Sequence, residues 1–293
     1  TEAFHLHRQA QSQKARILGM LVIEVDIGYR ISLRRAPDIK DACEHAYGNS
    51  TFGFITSLRE ILGLIGAYEW HKNGVDIPAI QHKIYPSYGV FSPIRGEYLD
   101  LVDTAPLPTS CNLAFDIGTG TGVLAAMLAN RGVKNIIATD NSARALNCAL
   151  HNVKQLAMTN TVKVVEADLF PSDQYGKADL IVCNPPWLPA HATSTLDAAI
   201  YDDKSKMLKG FLNGLGTHLT NHGEGWLILS DLAEHLGLRT RTELLSWIAS
   251  AGLTVLEKLD TKAKHHKAQD TSDPLHSARK AEVTSLWRLG QAN

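Results

Sequence analysis

Two short stretches carry residue types whose spacing can do chemistry. The first is AFDIGTGTG, Ala114 to Gly122. Gly118, Gly120 and Gly122 let the backbone turn tightly and approach a ligand with no Cβ in the way. Glycines alone suit many nucleotide sites, or a purely structural turn. Asp116, two residues before the first glycine, narrows the choice. A carboxylate there repels a pyrophosphate and attracts a ligand carrying an ammonium and a sulfonium, as S-adenosylmethionine does. Asp140 follows at roughly twenty residues, where an acid accepts ribose hydroxyls. Asp168, in EADLF, is expected to take an adenine amino group, with Leu169 against the ring. Thr119 and Asn141 complete the expected cofactor-binding set. Helix capping or a solvated loop is the competing reading for Asp140 and Asp168. Three acids at successive strand ends favour a shared site.

The second stretch is Asn184-Pro185-Pro186-Trp187, directly after an apolar run. Two consecutive prolines fix φ and remove two backbone donors, leaving carbonyls as acceptors. The Asn184 side-chain oxygen and the Pro185 carbonyl then suit both hydrogens of a planar NH₂ group. Held so, the nitrogen presents its lone pair to an electrophile. Trp187 is expected to stack on the planar target and exclude water. This is positioning for an in-line displacement at a methyl carbon, helped by loss of the sulfonium charge. No strong general base is required, because the methylated nitrogen loses its proton afterwards. Asn184 is also expected to touch the cofactor. The plainer reading is a proline-stiffened turn with a structural Trp; the flanking Asn and aromatic, at a strand end, count against it.

FDIGTGTG together with NPPW resembles the class I S-adenosylmethionine-dependent methyltransferases of the small-domain type, over about Tyr85 to Leu289. That group includes glutamine methyltransferases acting on release factors and ribosomal proteins. It also includes enzymes methylating exocyclic amines of adenine or guanine in RNA or DNA. The resemblance implies S-adenosyl-L-methionine as methyl donor, S-adenosyl-L-homocysteine as product, and a macromolecular acceptor. GVFSPIRGEYLDLV, Gly89 to Val102, is similar to the connector of the release-factor enzymes. Their Arg-Pro-Glu-Thr-Glu pattern stands here as Ile94-Arg95-Gly96-Glu97-Tyr98. Related ribosomal RNA enzymes have a comparable Gly-Val-Phe-Ser stretch, and most glutamine enzymes have Tyr in place of Trp187. The first expectation for the acceptor is a glutamine side-chain amide of a protein. An exocyclic amine of adenine or guanine in ribosomal or transfer RNA is the alternative. A catalytically inactive cofactor-binding regulator is a second alternative, against which the intact NPPW counts. Asp116 disfavours a nicotinamide oxidoreductase.

Such residues need a frame that brings several strand ends together. Strand-like runs at Leu113–Ile117, Asn135–Thr139, Val162–Val165, Leu180–Cys183 and Gly225–Leu229 alternate with helical runs. The helical runs are Gly122–Asn130, Ala143–Leu156, Met207–Leu219 and Leu236–Ala251. This alternation implies parallel strands joined by right-handed crossovers, with helices on both faces. Leu253–Lys258 and Glu282–Leu289 lack an obvious helix between them, so an antiparallel pair at one edge is expected across the polar segment Asp260–Ala281. The predicted class is α/β, a Rossmann-like methyltransferase fold with a mainly parallel seven-stranded sheet over 112–293. Residues 1–83 read as a mainly helical domain that presents the substrate, from helical stretches at Glu2–Met20, Asp38–Tyr47 and Leu58–Trp70. Residues 84–111 read as a connector. It holds a short hairpin or extended piece at Ile84–Pro93, a helix at Arg95–Val102 and the proline-containing linker from Thr104.

Composition sets the outer limits. A chain of 293 residues, 44% hydrophobic and 20% charged, holds two domains or one large domain with an extension. A net charge of -1 gives no whole-protein field toward nucleic acid or membrane, which tilts the partner toward protein over RNA. The longest apolar runs fall short of a membrane span, and TEAFHLHRQA does not read as a signal peptide. Cys43, Cys111, Cys148 and Cys183 form no C-x-x-C pair. Cys148 and Cys183 read as buried thiols, and a reducing cytoplasm fits best. His265-His266 lacks a further ligand at metal-like spacing, so no metal is expected. The segment LPAHATSTLDAAIYDDKSKM after NPPW is long enough to fold over the target. Within it, Tyr201 and Asp202 are substrate contacts or loop anchors. Lys262, Lys264, His265, His266, Lys267, His276, Arg279 and Lys280 could grip phosphate or an acidic surface. Asp270 and Asp273 favour an ordinary polar loop.

Overall fold

Capping and glycine punctuation delimit the N-terminal elements of the computed structural model, which describes residues 1–94, 96–192, 199–262 and 270–292. α1 (Glu2–Gly19), β1 (Val22–Val25), α2 (Lys40–Tyr47), β2 (Phe54–Ser57), α3 (Leu58–Asn73), β3 (Val75–Ile77) and β4 (His82–Ile84) follow in order. α3 begins where the Ser57 side chain accepts from the Glu60 N–H and ends at Gly74, φ +69°. The helices lie on the predicted stretches. The antiparallel pairs β1–β2 and β3–β4 were not foreseen, because runs so short carry little periodicity. Val25, Tyr29, Ile39, Cys43, Ile61 and Leu64 form a core local to this part. Over 85–93 no strand forms, so the connector is extended rather than a hairpin. It leads into α4 (Glu97–Thr104).

Beyond it come β5 (Leu113–Ile117), α5 (Val123–Asn130), β6 (Asn135–Asp140), α6 (Ala143–Gln155), β7 (Val162–Glu166) and β8 (Ala178–Cys183). Then follow α7 (Lys206–His218), β9 (Leu219–Ser230), α8 (Leu232–His235), α9 (Arg241–Ser250), β10 (Leu253–Lys262), α10 (His276–Ala281) and β11 (Val283–Gln291). The seven strands of this half order as β10-β11-β9-β8-β5-β6-β7. β5 through β9 pair in parallel, and β11 lies antiparallel between β9 and β10. The α/β class, the strand count and the antiparallel edge match the expectation.

Alternating side chains of each strand feed two apolar layers. Ala114, Leu180, Val182, Trp226 and Ile228 pack with α4 and α5 on one face. Phe115, Ile117, Ile181, Cys183 and Leu227 pack with α7 and α9 on the other. Two helices depart from expectation: the short α10 stands between β10 and β11, where no obvious helix was read, and one predicted span is broken. Leu236–Ala251 is not continuous: α8 stops at His235, Gly237 takes φ +67°, and α9 starts only at Arg241. Thr240 and Glu243 form a reciprocal capping box there. All four cysteines are free; Cys43, Cys148 and Cys183 are buried. Lys264, His265, His266 and Lys267 lie outside the described residues.

Candidate active site

Strand order reverses between β5 and β8, so the loops leaving their carboxyl ends diverge and open a crevice. The glycine loop leaves β5 and Asn184 leaves β8, placing both motifs on that crevice.

On one side, Asp116 is fully buried in β5. Its Oδ2 accepts from the Thr119 hydroxyl at 2.6 Å and from the Ala125 N–H at 3.1 Å. Ala125 lies in the first turn of α5, so this oxygen caps a helix from a neighbouring strand. Its Oδ1 is buried and has no partner among the described residues. Burial pushes the carboxyl up to about 6, against the two hydrogen bonds that pull it down; the charge of Asp140 adds to the rise. A buried, unpartnered carboxylate oxygen beneath a glycine loop fits the ammonium group of S-adenosylmethionine.

The loop itself is shaped by contact. Gly122 has φ +81°, and a Cβ on it would meet the Ala149 backbone of α6 at 3.3 Å. Gly120, φ +54°, faces open space within 4 Å, which leaves a cradle for a ligand. Gly118 turns beside Met207 at the start of α7. Thr119 is buried and donates its N–H to the Thr139 carbonyl at 2.8 Å.

Asp140 ends β6 half-buried, beside exposed Asn141. One of its carboxylate oxygens accepts from Gly120 N–H at 3.1 Å and the other from Ser142 N–H at 2.9 Å. Each oxygen keeps acceptor capacity for a hydroxyl. Asp168 is exposed beyond β7. Leu169 holds φ +70° and its carbonyl accepts from the Thr139 hydroxyl at 2.6 Å. Its side chain lies against Gly210 of α7. The acids thus stand at the ends of β5, β6 and β7, which are adjacent.

On the other side, Pro185 is buried, while Asn184, Pro186 and Trp187 are half-buried. The Trp187 indole N–H donates to Asn184 Oδ1 at 2.9 Å. The indole also packs against both apolar layers. Leu188 bridges to Tyr201, and Asp202 N–H donates to the Leu188 carbonyl at 2.8 Å. The buried Asp202 carboxylate accepts from Met207 N–H at 2.9 Å and Leu208 N–H at 3.0 Å. Asp202 is therefore an anchor for α7. Residues 193–198, in the middle of the expected cover, are outside the described residues.

Two contributions escaped the sequence. The first is α1, which reaches across to this side. Phe4 packs with Leu188, Leu232, Leu236 and Leu275. Arg8 donates to the His191 carbonyl at 2.7 Å and sits 4.0 Å over the Tyr201 ring. Nothing local in TEAFHLHRQA signals that long-range contact. The second is Asn152 of α6, 1% exposed. Its amide donates to Thr121 O at 2.9 Å and Tyr85 O at 3.2 Å, and its Oδ1 accepts from Tyr85 N–H at 2.8 Å. The readable signal was an Asn on the apolar face of an amphipathic helix. Among the described residues there is no cluster able to hold a metal ion and no helix long and apolar enough to cross a membrane.

The family model described as "Methyltransferase small domain" matches residues 88–237. A candidate protein N5-glutamine methyltransferase of Methanocaldococcus jannaschii is 29% identical over 54% of this chain and 80% of its own length. A tRNA1(Val) (adenine(37)-N6)-methyltransferase of Cytophaga hutchinsonii is 30% identical over 64% of this chain and 86% of its own. A release factor glutamine methyltransferase of Moorella thermoacetica is 32% identical over 35% of this chain and 37% of its own. The family match spans the glycine loop and the NPPW motif, and the chain belongs to the methyltransferase small-domain family of S-adenosylmethionine-dependent enzymes.

Proposed function

We propose that this enzyme methylates a glutamine side-chain amide of a protein, with the acceptor nitrogen held by Asn184-Pro185-Pro186-Trp187. The observation that carries the reading is the Trp187–Asn184 hydrogen bond. An indole N–H only donates, so the atom facing it is the amide oxygen, which supports this orientation of the Asn184 side chain. Oδ1 retains a second lone pair for one acceptor hydrogen, and the Pro185 carbonyl suits the other. Bound S-adenosylmethionine supplies an electrophilic methyl group carried on a sulfonium. Asp116 Oδ1 takes its ammonium end, the Gly118–Gly122 backbone cradles it, and Asp140 accepts from the ribose. Asp168 and Leu169 border the adenine. Asn184 aligns the acceptor nitrogen, which is the main catalytic demand of such a displacement.

The packing of Trp187 against both apolar layers makes it a wall more than an open stacking platform. That suits a small amide better than a purine. The net charge of -1 points the same way. The part formed by α1, α2 and α3 presents the acceptor, a role supported by the docking of α1 on the segment after Trp187. Four unpaired cysteines agree with a reducing cytoplasm. An exocyclic amine in RNA is the second reading, favoured by the tRNA-modifying relative that aligns over 86% of its length.

Labelled methyl donor added with purified enzyme to a lysate lacking it tests the choice. Label removed by protease and resistant to nuclease is expected. Label removed by nuclease alone overturns the protein reading.

A further inference from the structure

A cavity of about 370 Å³ opens between α2, α3 and α6, and none of the residues assigned to the crevice lines it. α2 lines it with His45, α3 with His71, the connector with Tyr88, and α6 with Arg144, Asn147 and His151. Three imidazoles crowd together there. His45 and His71 have ring centroids 3.8 Å apart, and His71 and His151 5.4 Å. His45 Nε2 is buried with no partner among the described residues.

The charge in this cavity is one-sided. No Asp or Glu lines it. Among the described residues Arg144 meets no carboxylate; its guanidinium lies 5.5 Å over the Tyr88 ring. The nearby Glu60 is engaged by the hydroxyls of Tyr47 and Tyr88 at 2.6 and 2.5 Å. Glu44 lies 3.9 Å from Lys40. The Arg144 guanidinium, the unpartnered His45 Nε2 and the Asn147 amide converge where the Pro86 carbonyl, 3.1 Å from His71 Nδ1, is occupied by that ring and no carboxylate lines the wall. Phosphate oxygens match that donor set, and Arg meets them through two N–H groups at once. The volume exceeds a phosphate alone, and the Tyr88 and histidine rings offer flat apolar surface beside it.

We infer that this cavity binds a phosphate-bearing ligand of mononucleotide size, with Arg144 on the phosphate and the Tyr88 and histidine rings beside the base. The inference is independent of which acceptor the crevice methylates. A free nucleotide and a nucleotide within RNA share the chemistry, and the experiment separates them.

Protonation follows from the surroundings. His45 is held down at about 4 by burial, then by the neighbouring His71 and His151. His71 is lowered by burial and by His151, against the Pro86 carbonyl that raises it. The other ionisable groups packed around them are Cys43, Glu44 and Tyr47 on α2, Glu60 and Tyr68 on α3, Tyr85 and Tyr88 on the connector, and Arg144 on α6. A bound phosphate favours the charged forms of His45 and His71, and the phosphate's own loss of charge as pH falls toward its second pKa of about 6 opposes this.

The test is calorimetry on the full chain saturated with S-adenosylhomocysteine, which blocks the crevice. Inorganic phosphate, uridine 5′-monophosphate and a short single-stranded RNA are titrated at pH 8 and pH 6. Expected are binding of uridine monophosphate tighter than phosphate and at least about a tenfold loss in Arg144→Ala at both pH values. Binding of the RNA alone, lost in Arg144→Ala, assigns the source to RNA and sustains the site. Arg144→Lys is expected to recover part of the affinity, and unchanged melting temperature and S-adenosylhomocysteine affinity show that the variants fold. Absence of binding by every probe, or equal binding by wild type and Arg144→Ala, overturns the inference.

Discussion

The indole of Trp187 donates to Oδ1 of Asn184 across 2.9 Å, so the two ends of the NPPW motif fix each other. Trp187→Phe keeps a ring against both apolar layers and removes this bond. One such hydrogen bond is worth about 1 kcal/mol, so turnover is expected to fall about fivefold. Asn184→Ala removes the aligning group itself and is expected to cost at least about a hundredfold. Cofactor affinity should change little in Trp187→Phe. Steady-state rates on the labelled acceptor, with calorimetry for the cofactor, measure both.

Asp116 sets a second expectation, and its sign can be worked out. Its carboxyl stands at about 6 in the folded protein, above the roughly 3.9 of an unfolded chain. The folded state therefore binds the proton more readily. The contribution of Asp116 to the stability of the cofactor-free protein falls as pH rises from about 4 through 6 and is level above that. Asp116→Asn removes the buried charge and is expected to stabilise the cofactor-free protein at pH 8 by on the order of 1–3 kcal/mol. The same change should weaken S-adenosylmethionine binding at least about tenfold, because the ammonium loses its counter-charge. In the wild type, cofactor affinity should drop as pH falls below about 6. Thermal melts at pH 5 and pH 8, and cofactor titrations over that range, decide it. A cofactor-free Asp116→Asn protein less stable than wild type at pH 8 sinks the argument.

Asn152 joins the connector to the glycine loop through three hydrogen bonds. Asn152→Ala takes the partner from the Tyr85 N–H and the Thr121 carbonyl and leaves the Tyr85 carbonyl only the Cys148 thiol, and each lost bond to a buried group costs about 1–3 kcal/mol. A fall in melting temperature together with weaker cofactor binding is expected. A fall in melting temperature with intact affinity would mean that the tie steadies the domain without shaping the loop.

Arg8 lies far from the cofactor loop yet clasps Tyr201 and the His191 carbonyl. Arg8→Ala is expected to raise KM for the macromolecular acceptor about threefold to tenfold with kcat nearly unchanged, the signature of lost uniform binding. Unchanged KM would separate α1 from acceptor docking.

Features confined to a few neighbouring residues could be read from the chain, and features made by distant pairs could not. The strand–glycine–helix sequence around Asp116 and the alternation behind it gave the sheet, because burial on both faces writes itself into short apolar runs. The break between α8 and α9 was equally local: Gly237 and the Thr240–Glu243 capping box stand in the sequence, and a continuous apolar pattern masked them. Asp116 was read as a ligand contact alone, whereas one of its oxygens holds Thr119 and the first turn of α5. Partners of Asn152 on the connector and of Arg8 beyond Trp187 lie 67 and 183 residues away, and periodicity carries no trace of such pairings. The histidine cavity is of the same kind, since α2, α3 and α6 meet only in the folded chain.

The place of β11 has a consequence for synthesis. It is made after β10, yet it lies between β10 and β9, and β10 pairs with no other strand of the sheet. Until β11 is made, β9 shows a bare edge and β10 lacks its strand partner among the described residues. An exposed edge of that kind invites pairing with other chains. Synthesis of the stretch between β10 and β11 is therefore the vulnerable interval, and a nascent chain stalled before Val283 is the form that chaperones would be called on to shield.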